Sequence, residues 1–166
     1  MGIDKKIEYA WKLFQNNQEM IKFSDSKLRF LAIISGVLTS YILGNFLSLF
    51  NLRWYGKLTL LIFFIAFLSF VLFALLSSYP RFASKTGNKV PKLIYHKHVS
   101  ERIEANDYIS NFIETEDDKH LKDILYQVYE ISGIATVKFK YYNKSWFSLG
   151  VQLVSFSLLL LMQSFI

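Results

Sequence analysis

The sequence predicts an all-α membrane protein: three transmembrane helices with helical cytoplasmic extensions. Three charge-free runs carry that prediction. Residues 30–50, 58–79 and 145–166 contain no Asp, Glu, Lys or Arg, and each run is 21 or 22 residues long. At about 1.5 Å of rise per residue, each matches a hydrocarbon core roughly 30 Å thick. A soluble core helix would show a polar face about every 3.6 residues, and these runs show none. The composition agrees, with 52% hydrophobic and 19% charged residues in a chain of 166. That length suits one domain, 1–166.

The elements follow in order. Ile7, Ala10, Trp11, Phe14, Ile21 and Leu28 have helical spacing, so residues 1–27 read as an amphipathic cytoplasmic helix. No Pro or Gly lies between Ile3 and Ser35, and the helix is expected to continue into the first span, 28–50. About 27 mostly polar residues precede the first charge-free run, which does not read as a cleaved signal peptide. Only residues 51–57 separate it from the second span, 58–79, so the two form an antiparallel hairpin. Trp54 and Tyr55 fall in that turn, where amphipathic rings prefer the membrane interface. Tyr79-Pro80-Arg81 marks a helix end. Residues 80–144 read as a cytoplasmic loop and helix: a loop over 84–91, a short helix over 105–113, and a long helix opening on the acidic stretch 114–118. That last helix enters the third span, 145–166, at Trp146.

Orientation follows from the cations. Six precede the first span (Lys5, Lys6, Lys12, Lys22, Lys27 and Arg29), two lie in the hairpin turn, and eleven lie in residues 81–144. Positive loops stay inside, so the N-terminus is expected in the cytoplasm and the C-terminus in the periplasm or outside the cell. The net charge of +6 fits an anionic inner leaflet and calls for no DNA or RNA partner. The chain has no cysteine, which excludes disulfides, thiol catalysis and thiolate metal sites.

No GxSxG, P-loop, GxGxxG or HExxH pattern is present, so no catalytic residue, metal or cofactor is assigned and an enzyme is not expected. His96 and His98 have no further metal spacing beside them. The informative residues are polar ones on apolar stripes. Gln18 and Asp25 are expected near the centre of the stripe that carries Ile7, Trp11 and Phe14. Gln127, Lys138 and Ser145 are expected along one edge of the stripe set by Ile124, Val128 and Ile131. Buried charge is unfavourable unless it is paired or binds something. The plain reading is an Asp25–Lys138 interhelical ion pair. The sharper one is a pocket for an anionic ligand, with Asp25, Lys27, Arg81, Gln127, Lys138 and Lys144 as the candidate binding residues and Lys140 nearby. Tyr126, Tyr129, Tyr141 and Tyr142 read as interfacial anchors, or as stacking partners for a nucleobase. Gly36, Ser40 and Gly44 form a small-residue face for self-association, or for packing on the second span.

In sequence order these pieces resemble a known family. Phe23-Ser24-Asp25-Ser26-Lys27 stands before the first span, Tyr79-Pro80-Arg81 after the second, then Leu93-Ile94-Tyr95, then residues 123–144 (DILYQVYEISGIATVKFKYYNK) leading into the last span. The arrangement resembles the transmembrane effectors of Pycsar, the bacterial anti-phage systems that signal with cyclic pyrimidine mononucleotides, over residues 12–157. His96-Lys97 stands where the family tends to have Phe-Gly. The SLATT-type two-span effectors share the design. The Pycsar resemblance implies an antiviral effector of the bacterial inner membrane, causing abortive infection. A separate cyclase would make cyclic CMP or cyclic UMP, and that nucleotide, with no other cofactor, would activate a homo-oligomer that impairs the bilayer. The alternatives are a membrane accessory subunit or a small oligomeric channel controlled by a protein partner.

Overall fold

Nothing in residues 3–35 interrupts a helical backbone, and the helix that begins there has nothing to stop it. In the computed structural model, which describes residues 2–50, 52–79 and 105–164, every regular element is a helix. They are α1 (Ile3–Gly44), α2 (Phe46–Phe50), α3 (Trp54–Ser78), α4 (Ala105–Glu114) and α5 (Asp117–Ser164). Helices α1, α3 and α5 are each long and apolar enough to cross a membrane. The amphipathic N-terminal segment and the first span are one helix of 42 residues, and α5 has 48.

The ends of the hairpin differ from the sequence reading. The first span was expected to run to Phe50, but α1 stops at Gly44. Gly and Asn are poor helix formers, and the Asn45 side-chain amide donates to the Tyr41 carbonyl at 3.0 Å. Trp54 and Tyr55, expected in the turn, open α3 instead. The hairpin closes tightly at Gly56: a Cβ there would meet the Leu52 Cβ at 2.5 Å. At its far end α3 stops at Ser78, and Tyr79 is extended, as the residue before a proline is driven to be.

The chain divides into two compact units. The first takes residues 1–21 and 81–136, described over 2–21 and 105–136. Here Ala10 on α1 and Ile124, Gln127 and Ala135 on α5 are buried. The Asn17 amide donates to the Ser132 hydroxyl at 2.8 Å, and that hydroxyl donates to the Val128 carbonyl at 2.7 Å. Asp117 and Asp118 occupy the first turn of α5, where the helix dipole favours negative charge.

The second unit takes residues 22–80 and 137–166 and holds the three spans. Its α1 and α5 segments run parallel: Asp25 meets Lys138, Ser35 meets Gln152, and the Tyr41 ring lies 5.4 Å from that of Phe156. Helix α3 runs the other way. Its last residues reach Lys138, and Phe63 near its start packs with Ile42 and Leu159. Two apolar clusters fill the bundle: Ile42, Leu49, Leu52, Leu60, Phe63 and Leu159, then Leu31, Phe70 and Leu149. Ile33, Val37, Leu61, Ile65, Leu68 and Val154 face outward, as a hydrocarbon solvent permits.

Burial along both long helices repeats every seven residues. On α1 the inward lines are Ile3, Ala10, Asn17, Ser24, Leu31 and Ile7, Phe14, Ile21, Leu28, Ser35, Ile42. On α5 they are Gln127, Ile134, Tyr141, Ser148, Ser155 and Ile124, Ile131, Lys138, Ser145, Gln152, Leu159. This is the heptad seam of parallel packed helices. It corrects two expectations. Gln18 is exposed rather than central to its stripe, and Trp11 is 40% exposed while Ala10 is buried. Gln127, Lys138 and Ser145 lie on the seam itself rather than along its edge.

Candidate functional site

Within the first unit, three helices each contribute a pair of residues four apart to one cleft of about 520 Å³. Ile7 and Trp11 come from α1, Tyr108 and Phe112 from α4, and His120 and Ile124 from α5. Four-residue spacing puts each pair on one helix face. The walls are aromatic. Trp11 stacks on Phe14 at 5.2 Å between ring centroids, and Phe112 meets His120 edge to face at 4.8 Å. His120 Nε2 lies 3.2 Å from the Phe112 carbonyl oxygen. A carbonyl only accepts, so in this contact Nε2 is the donor. One heptad along α5 from His120, the Gln127 side chain is buried, and its Nε2 has no acceptor among the described residues. A buried amide donor without a partner is costly.

The second unit holds a charged pair. Lys138 Nζ lies 2.6 Å from Asp25 Oδ1 and 2.8 Å from Oδ2, with the lysine side chain 14% and the aspartate 32% exposed. Helix α3 adds the Ser77 hydroxyl, which donates to the Lys138 carbonyl at 3.2 Å. Beside Asp25 in sequence, the Ser24 hydroxyl is buried with no partner among the described residues. Lys144 lies over the rings of Phe73 and Tyr141, at 5.3 and 5.8 Å, and Lys27 over Phe23 at 5.3 Å. Such cation–aromatic contacts hold the ammonium groups beside apolar surface while leaving them open to anions.

A family model described as the Pycsar effector protein domain matches residues 9–163. The chain belongs to the Pycsar effector family. No curated protein and no solved structure matches it. Membership carries a role in Pycsar anti-phage defence, and with three apolar helices it makes the chain a membrane protein.

In this Pycsar effector the candidate ligand residues fall in different units. Gln127 belongs to the first, and Asp25, Lys27, Lys138 and Lys144 belong to the second. Arg81, His96, His98 and the Leu93-Ile94-Tyr95 motif lie outside the described residues. Of the tyrosines, Tyr126 and Tyr129 are exposed, Tyr141 lies against Phe73, and Tyr142 packs beside the Leu31–Phe70–Leu149 cluster. Gly36, Ser40 and Gly44 are all exposed, and a Cβ on Gly36 or Gly44 would meet nothing within 4 Å. Packing on the second span, one of the two readings of that face, is therefore not what it does.

Sequence reasoning missed the cleft. Trp11, Phe112 and His120 were visible as residues, but nothing in a single sequence joins α4 to α1. The available signal was the three apolar or aromatic pairs at four-residue spacing, Ile7/Trp11, Tyr108/Phe112 and His120/Ile124.

Proposed function

We infer that this Pycsar effector is a receptor with no chemistry of its own, switched on by a cyclic pyrimidine mononucleotide made by a separate cyclase, and that it then breaches the inner membrane. The observation that carries the reading is the aromatic cleft of the first unit in a chain of this family. A mostly apolar cleft lined by aromatic rings suits a nucleobase, whose stacking on an aromatic side chain is worth about 1–3 kcal/mol per base. His120 adds a polar edge to the cleft wall, while Gln127 is buried one heptad farther along α5 and does not line the cleft. Lys27 and Lys144, exposed cations of the second unit where Lys138 is engaged by Asp25, are proposed separately from the cleft as anion-binding residues, and Arg81 is proposed from the sequence alone.

Gating needs a ligand that prefers one of two states, because a ligand shifts an equilibrium only by its differential affinity. Helices α1 and α5 each supply residues to both units as one unbroken helix. A ligand that changes the helix arrangement in the first unit therefore acts on segments that are covalently the spans of the second. The exposed Gly36–Ser40–Gly44 face supports assembly of copies in the bilayer, since small residues let helix backbones approach closely. The cation distribution supports a cytoplasmic N-terminus.

Binding tests the cleft directly. Purified chain in detergent is titrated with cyclic CMP, cyclic UMP and cyclic AMP, following Trp fluorescence and heat. Saturable binding of a cyclic pyrimidine, weakened about tenfold or more by Trp11→Ala or Phe112→Ala, is the expected result. Binding unaffected by both substitutions would move the site elsewhere, and no binding of any cyclic nucleotide would remove the reading.

A further inference from the structure

The spans are more polar inside than outside. Outward positions are mostly large apolar residues, with Ser40 and Ser157 among the exceptions, whereas Ser35 and Thr39 on α1 and Ser145, Ser148, Gln152 and Ser155 on α5 are buried. Small and hydroxyl-bearing residues let helices pack closely in a bilayer, and a column of them with a glutamine at its centre is also a surface that water can wet. From the geometry of this column we propose that the α1–α5 seam is the passage through which water and small ions cross when the effector is active. This rests on the reading that the active effector breaches the membrane.

The hydrogen bonds divide in a telling way. The hydroxyls of Thr39, Ser145 and Ser148 donate to carbonyls four residues back on their own helices, at 2.8, 3.0 and 3.0 Å. These residues stay satisfied whether or not α1 and α5 remain in contact. Gln152 differs. Its Oε1 accepts from the Ser35 hydroxyl at 2.8 Å, and its Nε2 donates to Thr39 Oγ1 at 3.0 Å. Along the seam the polar residues are interrupted by the apolar Leu31–Phe70–Leu149 cluster, and Gln152 supplies the side-chain clasp that joins α1 to α5 within the spans. The Asp25–Lys138 pair joins the same two helices before the spans begin. Beyond the clasp, fully buried Ile42, Phe63 and Leu159 form an apolar plug. Hydrophobic constrictions of that kind hold pores shut by excluding water. The structure is the closed form: polar column, clasp, dry plug.

The test needs no nucleotide, so it stands apart from the gating question. The full chain is reconstituted in vesicles of phosphatidylethanolamine and phosphatidylglycerol loaded with potassium, and potassium release is followed. Leu159→Ser wets the plug, and Ile42→Thr, which keeps the β-branch and removes fewer atoms, is the milder variant. Each is expected to release potassium several-fold faster than the native chain. The chain contains no cysteine, so single cysteines report position cleanly. In the leaking background, Ser148→Cys is expected to react with a charged, water-soluble thiosulfonate and lose its leak, while Val154→Cys on the outward face does neither. Two results overturn the proposal. One is release by both plug variants no faster than by the native chain, with helical content and insertion intact. The other is a raised leak indifferent to modification at residue 148, which would place the breach outside the seam.

Discussion

Lys138 holds both carboxylate oxygens of Asp25, and that pairing sets what its removal does. Breaking a buried pair by removing one partner is far worse than replacing both, because the survivor is left uncompensated. With Asp25 a third exposed, solvent screening lowers the cost, and Lys138→Ala is expected to destabilise the second unit by about 1–3 kcal/mol. Asp25→Asn with Lys138→Met should recover most of it, read as thermal unfolding in detergent; a loss in the double variant equal to the sum of the two single losses would mean that the pair contributes nothing. Gln152→Leu removes two interhelical hydrogen bonds, and within membranes such bonds average about 0.6 kcal/mol each. A clasp that weak is within reach of a ligand's differential affinity. Outside the spans, the Lys12 hydrogen bond and then its charge hold the Glu8 carboxyl below its ordinary value of 4.5. That contribution is present in full above the unfolded value and lost as pH falls through the lowered one; both side chains are exposed, so Glu8→Gln should move the pH profile of unfolding only slightly. The ion pair was legible in the sequence, because Asp25 and Lys138 each interrupt an apolar stripe. The seam was not, because Ala10 and Trp11 stand side by side in the same apolar pattern, as Asn17 and Gln18 do among polar residues, and nothing in the sequence says which of each pair turns inward.

At the scale of the helix, continuity is the functional property. Lys22→Pro, at an exposed position within α1, removes a backbone donor and costs about 3 kcal/mol of helix. It is expected to leave nucleotide binding to the first unit intact and to abolish depolarisation; a fully active K22P would show that the continuous helix is not the coupling element. Gly36→Leu and Gly44→Leu add side chains where a Cβ meets nothing within 4 Å among the described residues, so the fold should tolerate them while crosslinked oligomer in membranes falls. Oligomer unchanged by both would remove that face from assembly. Gly56→Ala should behave oppositely: its Cβ runs into Leu52, and overpacking of this kind costs about 1–3 kcal/mol, visible as lowered thermal stability with no change in assembly. The three spans and the unbroken entry into the first were legible because charge is excluded over 21 or 22 residues and nothing stops the helix. The break at Gly44 was not, because no charge interrupts the run to Phe50 and the weak helix formers Gly44 and Asn45 act there together with the Asn45 side-chain bond to Tyr41.

Across the whole molecule, an aromatic cleft and a polar-seamed bundle share two helices in a chain of the Pycsar effector family. Each part has a separate assay, binding for the cleft and potassium release for the seam. What joins them is the claim that nucleotide occupancy causes the membrane to fail. The measurement that tests this most directly is membrane potential in bacteria expressing the chain with and without an active pyrimidine cyclase, beside the Trp11→Ala variant. The account predicts depolarisation and growth arrest only when cyclase and native chain are both present, with Trp11→Ala holding its potential at equal membrane abundance. A potential that stays unchanged while cyclic CMP or cyclic UMP accumulates and the native chain sits in the membrane would contradict it.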